Sequence, residues 1–479
     1  MQKFSSYIII FLFGMVTLLW AGPLKTFKLG ANVEPKKGLA GNGVTDIQGN
    51  HDVIWFGTGN GLSRTTDQGQ SFESFGAAHG VGRGSISALW VSGDTIWVAT
   101  AGDTLTKVTS DYLDMGTGLS VSEDGGETWQ HFPQPGPTPV QNVTYDIAVL
   151  DGVVWITSWG GGVRKSEDWG QTWQEAAPDS FLFDPGGKLN HRGFSVINAD
   201  GELWVGTAGG VNKSLDGGAT WQNFNHSNQQ NPISGNFVVA LSYQKFRGKK
   251  IIWAATWKAE GEDEFYAVSR TEDGGLTWST TLEGERAHNF AFDDSVVYVA
   301  AESGLYKSID SGDTWYRFPD IVDETSGERV YTRDIYSAFV SNGTLWAGTA
   351  DGLAITGNNG YQWRIIRAFK ATGKNGQPRT YAYPNPFSPL RHNRIGDDGY
   401  VRFQYNTLQD TRVTIKVFDF AMDLVATVVD NKYRPGPGDF SEVWNGTNEF
   451  GDAVANGVYF YSVELEGDGT YWGKIMIVN

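Results

Sequence analysis

The octapeptide SEDGGETW (Ser122–Trp129) sets a serine, an aspartate, a threonine and a tryptophan within eight residues. A hydroxyl nucleophile, a carboxylate base and an aromatic platform can be assembled from such side chains. The same pattern returns as SEDWGQTW (Ser166–Trp173), SLDGGATW (Ser214–Trp221), TEDGGLTW (Thr271–Trp278) and SIDSGDTW (Ser308–Trp315). Two degenerate copies, TTDQGQSF (Thr65–Phe72) and TGNNGYQW (Thr356–Trp363), bring the number to seven. A catalytic constellation is needed once, so seven copies point to scaffold. In each, the acidic position (Asp67, Asp124, Asp168, Asp216, Asp273, Asp310, Asn358) can accept hydrogen bonds from turn amides. The glycine supplies positive φ, and the tryptophan buries its ring between sheets.

Chemistry is therefore sought where the repeat is broken. No H-E-x-x-H, G-x-S-x-G, G-x-G-x-x-G, phosphate-binding or EF-hand loop occurs, and no cysteine is present to ligate a metal or act as a nucleophile. No catalytic residue, metal ligand or cofactor site is assigned. Ahead of each box runs a strand such as VIWFGT (Val53), VVWITS (Val153), ELWVGT (Glu202) or IIWAAT (Ile251). The residue that follows these strands reads Gly59, Ala101, Trp159, Ala208, Trp257, Glu302 and Ala350. Trp159 and Trp257 thus stand where most copies keep something small, and such rings suit stacking on sugars or anchoring a peptide. Arg83, Tyr145, His191, Arg192, Arg286, His288 and Arg333 fall in the connections that lead into the next repeat, on the same expected face. Cations converging there would favour an anionic ligand.

The elements that must position these residues follow from the spacing. Between Asp67 and Asn358 six intervals span 291 residues, about 48 each, the length of a four-stranded propeller blade. Each interval contains a short alternating strand, the aromatic strand, a glycine turn, a third strand, the box, and a last strand such as TWQHF or TWQNF. A lone four-stranded sheet cannot bury both faces, whereas seven packed radially can. Residues 22–370 are read as one seven-bladed β-propeller, closed either by a strand from LKTFKL (Leu24–Leu29) or without it. The boxes resemble the Asp-box, or BNR, repeat of sialidases, sortilin-type receptors, xyloglucan-degrading enzymes and photosystem II assembly factors. That resemblance places the box on a peripheral hairpin away from the ligand face. It also brings a glycoside hydrolase or lyase as the alternative to a binding protein, although the F-R-I-P segment of sialidases is missing. A scaffold without a small ligand is the third reading.

After a linker over 371–380, residues 381–479 carry short alternating strands with turn signals, the pattern of an Ig-like β-sandwich. YPNPF (Tyr383–Phe387), WNGTNEFGDAVANGVYFY (Trp444–Tyr461) and GKIMIVN (Gly473–Asn479) resemble the C-terminal sorting domain of type IX secretion cargo and the related hook-cap domain. The resemblance implies a partner in the outer-membrane secretion machinery of a Bacteroidota-type bacterium. At the other end Lys3 precedes the apolar run Tyr7–Leu19 and a small residue, Ala21, the layout of a secretory signal peptide over 1–21 with no membrane span left after its removal. The formal charge of −17 argues against nucleic acid as a partner. The sequence as a whole reads as an all-β, secreted or cell-surface binding protein. Its expected partner is an extracellular polysaccharide or protein.

Overall fold

The computed structural model describes residues 28–29, 35–50, 52–105, 112–179, 182–259, 261–373, 376–390, 392, 394–395 and 398–478. The expected signal peptide lies outside the described residues. Strands dominate: β-branched and aromatic runs alternate with glycine turns, and the short helical pieces are the single 3₁₀ turns Ala77–His79 and Leu189–His191.

Seven antiparallel sheets follow one another along the chain. In the first, Val44–Gly49, Ile54–Thr58, Gly61–Thr65 and Glu73–Phe75 run from the inner to the outer edge. The remaining six sheets start at Ser85, Thr144, Gly193, Phe237, Ala287 and Ile335 with the same order, and are called blades 2 to 7. The second strand of each blade is buried along nearly its whole length, because neighbouring blades cover both faces. The inner strands surround a channel of about 710 Å³. This is a β-propeller.

Closure needs no borrowed strand. Blade 7 is built from Ile335–Ser341, Thr344–Thr349, Gly352–Thr356 and Arg364–Ile366 alone. Lys28–Leu29, within the LKTFKL stretch, instead adds a fifth outer strand to blade 2, and Lys36–Lys37 does so for blade 1. Blades 7 and 1 meet through side chains. Phe56 and Trp346 rings lie 5.6 Å apart, and the Ser337 hydroxyl donates to the Val44 carbonyl at 3.3 Å.

Each box is a hairpin lock between the third and fourth strands. In the second box, Asp124 Oδ1 accepts from the Ser122 hydroxyl and the Thr128 amide at 2.8 Å each, and Oδ2 accepts from the Thr128 hydroxyl at 2.6 Å. Its carboxyl is held below the ordinary value: burial opposes ionisation, and the bonds from Thr128 and Ser122 outweigh it. The box also explains why glycine recurs. A Cβ on Gly126 would come within 2.6 Å of the Trp55 ring of the preceding blade, and one on Gly69 within 2.9 Å of Trp346. Box glycine and second-strand tryptophan meet in this way from blade to blade in five boxes, while Gly275 and Gly360 meet Phe224 and Phe318 of the preceding blade instead.

The C-terminal residues form two facing sheets. One holds Thr380–Tyr383, Val401–Thr407 and Gly438–Trp444; the other Leu424–Arg434, Thr411–Phe418, Gly457–Leu465 and Gly469–Ile477. Their inner faces bury Phe403, Tyr405, Ile415, Tyr461, Val463 and Ile475. The YPNPF segment covers an edge: the Phe387 amide donates to the Met476 carbonyl at 2.8 Å, and the Val478 amide to the Phe387 carbonyl at 2.9 Å. The last strand is thus paired on both sides, which blunts an edge otherwise free to recruit another chain.

Candidate ligand-binding mouth

The channel opens on the face where inner strands begin and second strands end. The residues there are set by a feature that recurs in all seven inner strands, a break in register after the first or second pair. The bulged residues are Thr45, Ser87, Tyr145, Phe194, Val239, His288 and Tyr336. A bulge leaves one residue unpaired and re-aims its side chain, and in four blades that side chain is a ring.

These rings join the two out-of-pattern tryptophans in one arc. Phe194 lies 5.6 Å from Trp159, 5.9 Å from Tyr145 and 6.0 Å from Phe237. Phe237 pairs across strands with Trp257. Trp257 then meets His288 at 5.7 Å, and His288 meets Tyr336 at 6.1 Å. The rings form two groups of aromatic contacts, one over blades 3 to 5 and one over blades 5 to 7, joined where Phe237 and Trp257 are strand partners. Sequence reasoning reached Tyr145, Trp159, Trp257 and His288 but missed Phe194, Phe237 and Tyr336. Aligning the second residue of every inner strand would have exposed Phe194 and Tyr336.

Most of the cations at the mouth arrive with partners. Arg286 bonds the Tyr266 hydroxyl at 3.1 Å and Glu302 at 3.3 Å. Arg333 lies 3.9 Å from Asp320, and His288 Nε2 lies 3.0 Å from Asp334. Arg192 donates to the carbonyls of Pro185 and Gly186 and covers the Trp159 ring at 4.8 Å. Arg83 is exposed, and its carbonyl accepts from the Thr117 hydroxyl at 2.6 Å. His191 needs correction: it is fully buried, stacked on Phe183 at 5.4 Å and bonded to Asp179 at 2.8 Å, so it fixes its loop and cannot meet a ligand. The mouth is therefore an aromatic surface with a charged rim, in which Arg286, Arg333 and His288 each face a carboxylate.

Two enlarged connections border the arc. Thr95–Leu105 and Tyr112–Ser122 run past the edge of blade 2 as a long hairpin, and Met115 bridges to Val140 of the connection into blade 3. The Tyr145 hydroxyl is pushed up by burial and by nearby Asp114 of that hairpin. In blade 5 the loop after Trp257 is tied down by buried Glu264, which accepts from the Asn236 side chain at 2.7 Å and the Ala259 amide at 2.6 Å.

Below the mouth, two carboxylates face the channel. Asp46 is pushed up to about 7 by burial and then by Asp146; Asp146 is pushed up to about 6 by burial. Raised carboxyls invite an acid–base reading, but their column answers otherwise. Asp146 accepts from the Ser195 hydroxyl at 2.8 Å and the Val196 amide at 2.9 Å, both on the next blade. Asn289 in the same position accepts from the Ala338 amide at 3.1 Å, and Ser195 accepts from the Leu241 amide at 3.0 Å. Residues of different chemistry make the same bond, so the position is a latch between blades. No group of acidic and histidine side chains among the described residues can hold a metal ion.

No family model and no curated protein matches this sequence. Among solved structures it is similar to the GH74 xyloglucanase from Xanthomonas campestris. The identity there is 14%, the TM-score is 0.52, and the match covers 94% of this chain and 68% of that one. The likeness is one of fold. Two further matches are YCF48 from Cyanidioschyzon merolae, at 17% identity and TM-score 0.45, covering 67% of this chain and 98% of that chain, and PorZ of Porphyromonas gingivalis, a surface component of the type-IX secretion system. PorZ shares 14% identity at TM-score 0.37, and the match covers 89% of this chain and 64% of PorZ.

Proposed function

We propose that the chain is an extracellular binding protein that holds a polysaccharide on the aromatic arc at its mouth. The carrying observation is the arc of rings from Tyr145 through Phe194 and Phe237, and, across a strand pairing, from Trp257 through His288 to Tyr336. Several partly exposed rings set along one mouth suit the apolar faces of successive sugars, and the polar rim can hydrogen-bond their hydroxyls. The extracellular setting is supported by the signal layout of residues 1–21 and by the motifs of residues 381–479, which we take as a type IX-like sorting domain of Ig-like fold.

A glycan array followed by calorimetry tests the mouth. Trp159→Ala and Phe194→Ala are expected to weaken glycan binding about 10- to 100-fold each, at about 1–3 kcal/mol per lost ring contact, with the melting temperature nearly kept for Trp159→Ala. Unchanged affinity in both variants sinks the site. Release of new reducing ends would instead favour a hydrolase at the same mouth.

A further inference from the structure

We propose that the C-terminal sandwich is a fixed wall of the propeller's mouth face, locked to blade 7 as one rigid body by a buried lattice of three carboxylates and three guanidiniums. The inference goes beyond the binding reading and stands whatever the mouth binds.

The propeller contributes Asp351, in the turn after Thr344–Thr349, and Glu328, in the hairpin of Val322–Asp323 and Glu328–Arg329 that leads into blade 7. Both lie on the mouth face, the side of Arg286 and Trp257. Arg367 binds the two together, at 2.6 Å to Glu328 and 2.9 Å to Asp351. The sandwich supplies the other half. Arg402 pairs with Asp351, and Arg434 reaches Glu328 at 3.2 Å, the Ser326 carbonyl at 2.5 Å and its own Glu442 at 2.5 Å. Aromatic contacts flank the lattice: Tyr331 lies 6.1 Å from Tyr400, with the Arg402 guanidinium 5.6 Å over the Tyr331 ring.

Depth separates this lattice from a surface ion pair. Arg434 is 1% exposed, and Arg402, Asp351 and Glu442 are 4% exposed each. Burial opposes ionisation of Asp351, yet Arg402 and Arg367 hold its carboxyl below the ordinary value. Charges alternate across the interface, so a slip of a few ångströms would leave a buried charge unpaired, which is strongly unfavourable. Such a lattice selects a single docking orientation. The connecting residues add to it, with Thr372 buried and bonded to Asp439 at 3.3 Å and the Tyr381 hydroxyl bonded to the Lys370 amide at 2.7 Å. A tether this short keeps the two surfaces at a millimolar effective concentration, so the docked state dominates. A tag that merely trails behind the propeller needs none of this.

The absence of cysteine makes the test direct, because two labels can be placed without competing thiols. Spin labels at Leu215→Cys on blade 4 and Phe450→Cys on the sandwich, 70% and 89% exposed, report the distance between modules by pulsed dipolar spectroscopy. A single narrow distribution is expected for the full chain, and a broad one overturns the proposal. Introducing Arg402→Glu into the labelled chain is expected to broaden the distribution while circular dichroism of both modules persists; a distribution that stays narrow overturns the role given to the lattice. Should that variant fail to fold, Arg434→Met gives the same reading with the volume kept.

Discussion

At the scale of single residues, the box aspartate is a structural acceptor whose charge is dispensable. Box seven demonstrates this, since Asn358 Oδ1 still accepts from the Thr356 hydroxyl at 3.0 Å and the Gln362 amide at 2.9 Å. Asp124→Asn should therefore cost little, whereas Asp124→Ala, which orphans the Thr128 amide and two hydroxyls, should cost about 1–2 kcal/mol. Urea denaturation of the two variants side by side checks the order, and equal losses would show that charge was the stabilising element. The cations at the mouth teach a related lesson. Arg286 and His288 look like ligand-binding groups one by one, yet each is already engaged by a carboxylate from its own or the adjoining loop.

At the scale of the inner strand, polar residues just after the bulges tie neighbouring blades together, and titration of the two aspartates among them sets a pH dependence. The folded values of about 7 for Asp46 and about 6 for Asp146 lie above the 3.8 of an unperturbed aspartate. Between pH 4 and 7 the folded chain therefore binds more protons than the unfolded one, so these groups make stability fall as pH rises through that window. The melting temperature should be a few degrees higher near pH 5 than near pH 8, on the order of 1–2 kcal/mol after allowance for channel water. Asp46→Asn, which keeps the acceptor for the Leu89 amide, should flatten that slope and stabilise the protein at pH 8. A slope unchanged by the substitution would place the titration elsewhere. Asp351, with its lowered value, acts in the opposite sense, and its contribution to docking is lost only as pH falls below about 4.

At the scale of the whole molecule, a propeller and a C-terminal sandwich share one chain, and the proposed sorting role belongs to the second of them. A chain ending after Gly376 lacks every strand of the sandwich. It is expected to accumulate in the periplasm, as judged by fractionation and surface proteolysis; delivery to the surface at the normal level would refute the sorting role. The same truncation removes Arg402 and Arg434 from Asp351 and Glu328, so the freed propeller should melt at a lower temperature than the full chain.

Much of this protein was legible in its sequence because a propeller repeats its own hydrogen bonds. Every box closes on residues four positions apart, and every box glycine meets the preceding blade, so the constraint is written at each blade and surfaces as a period. The blade count, the all-β class and the displaced Trp159 and Trp257 all follow from that period. Contacts made once leave no such trace. Nothing in a linear reading pairs Arg434 with Glu328, His191 with Asp179 or Phe194 with Trp159, since these depend on how loops fold back over the ring. Local geometry repeated seven times could be read from the chain; the partners of the buried charges, the arc of rings and the seat of the sandwich were decided only when distant segments were packed together, because an unpaired buried charge is strongly unfavourable.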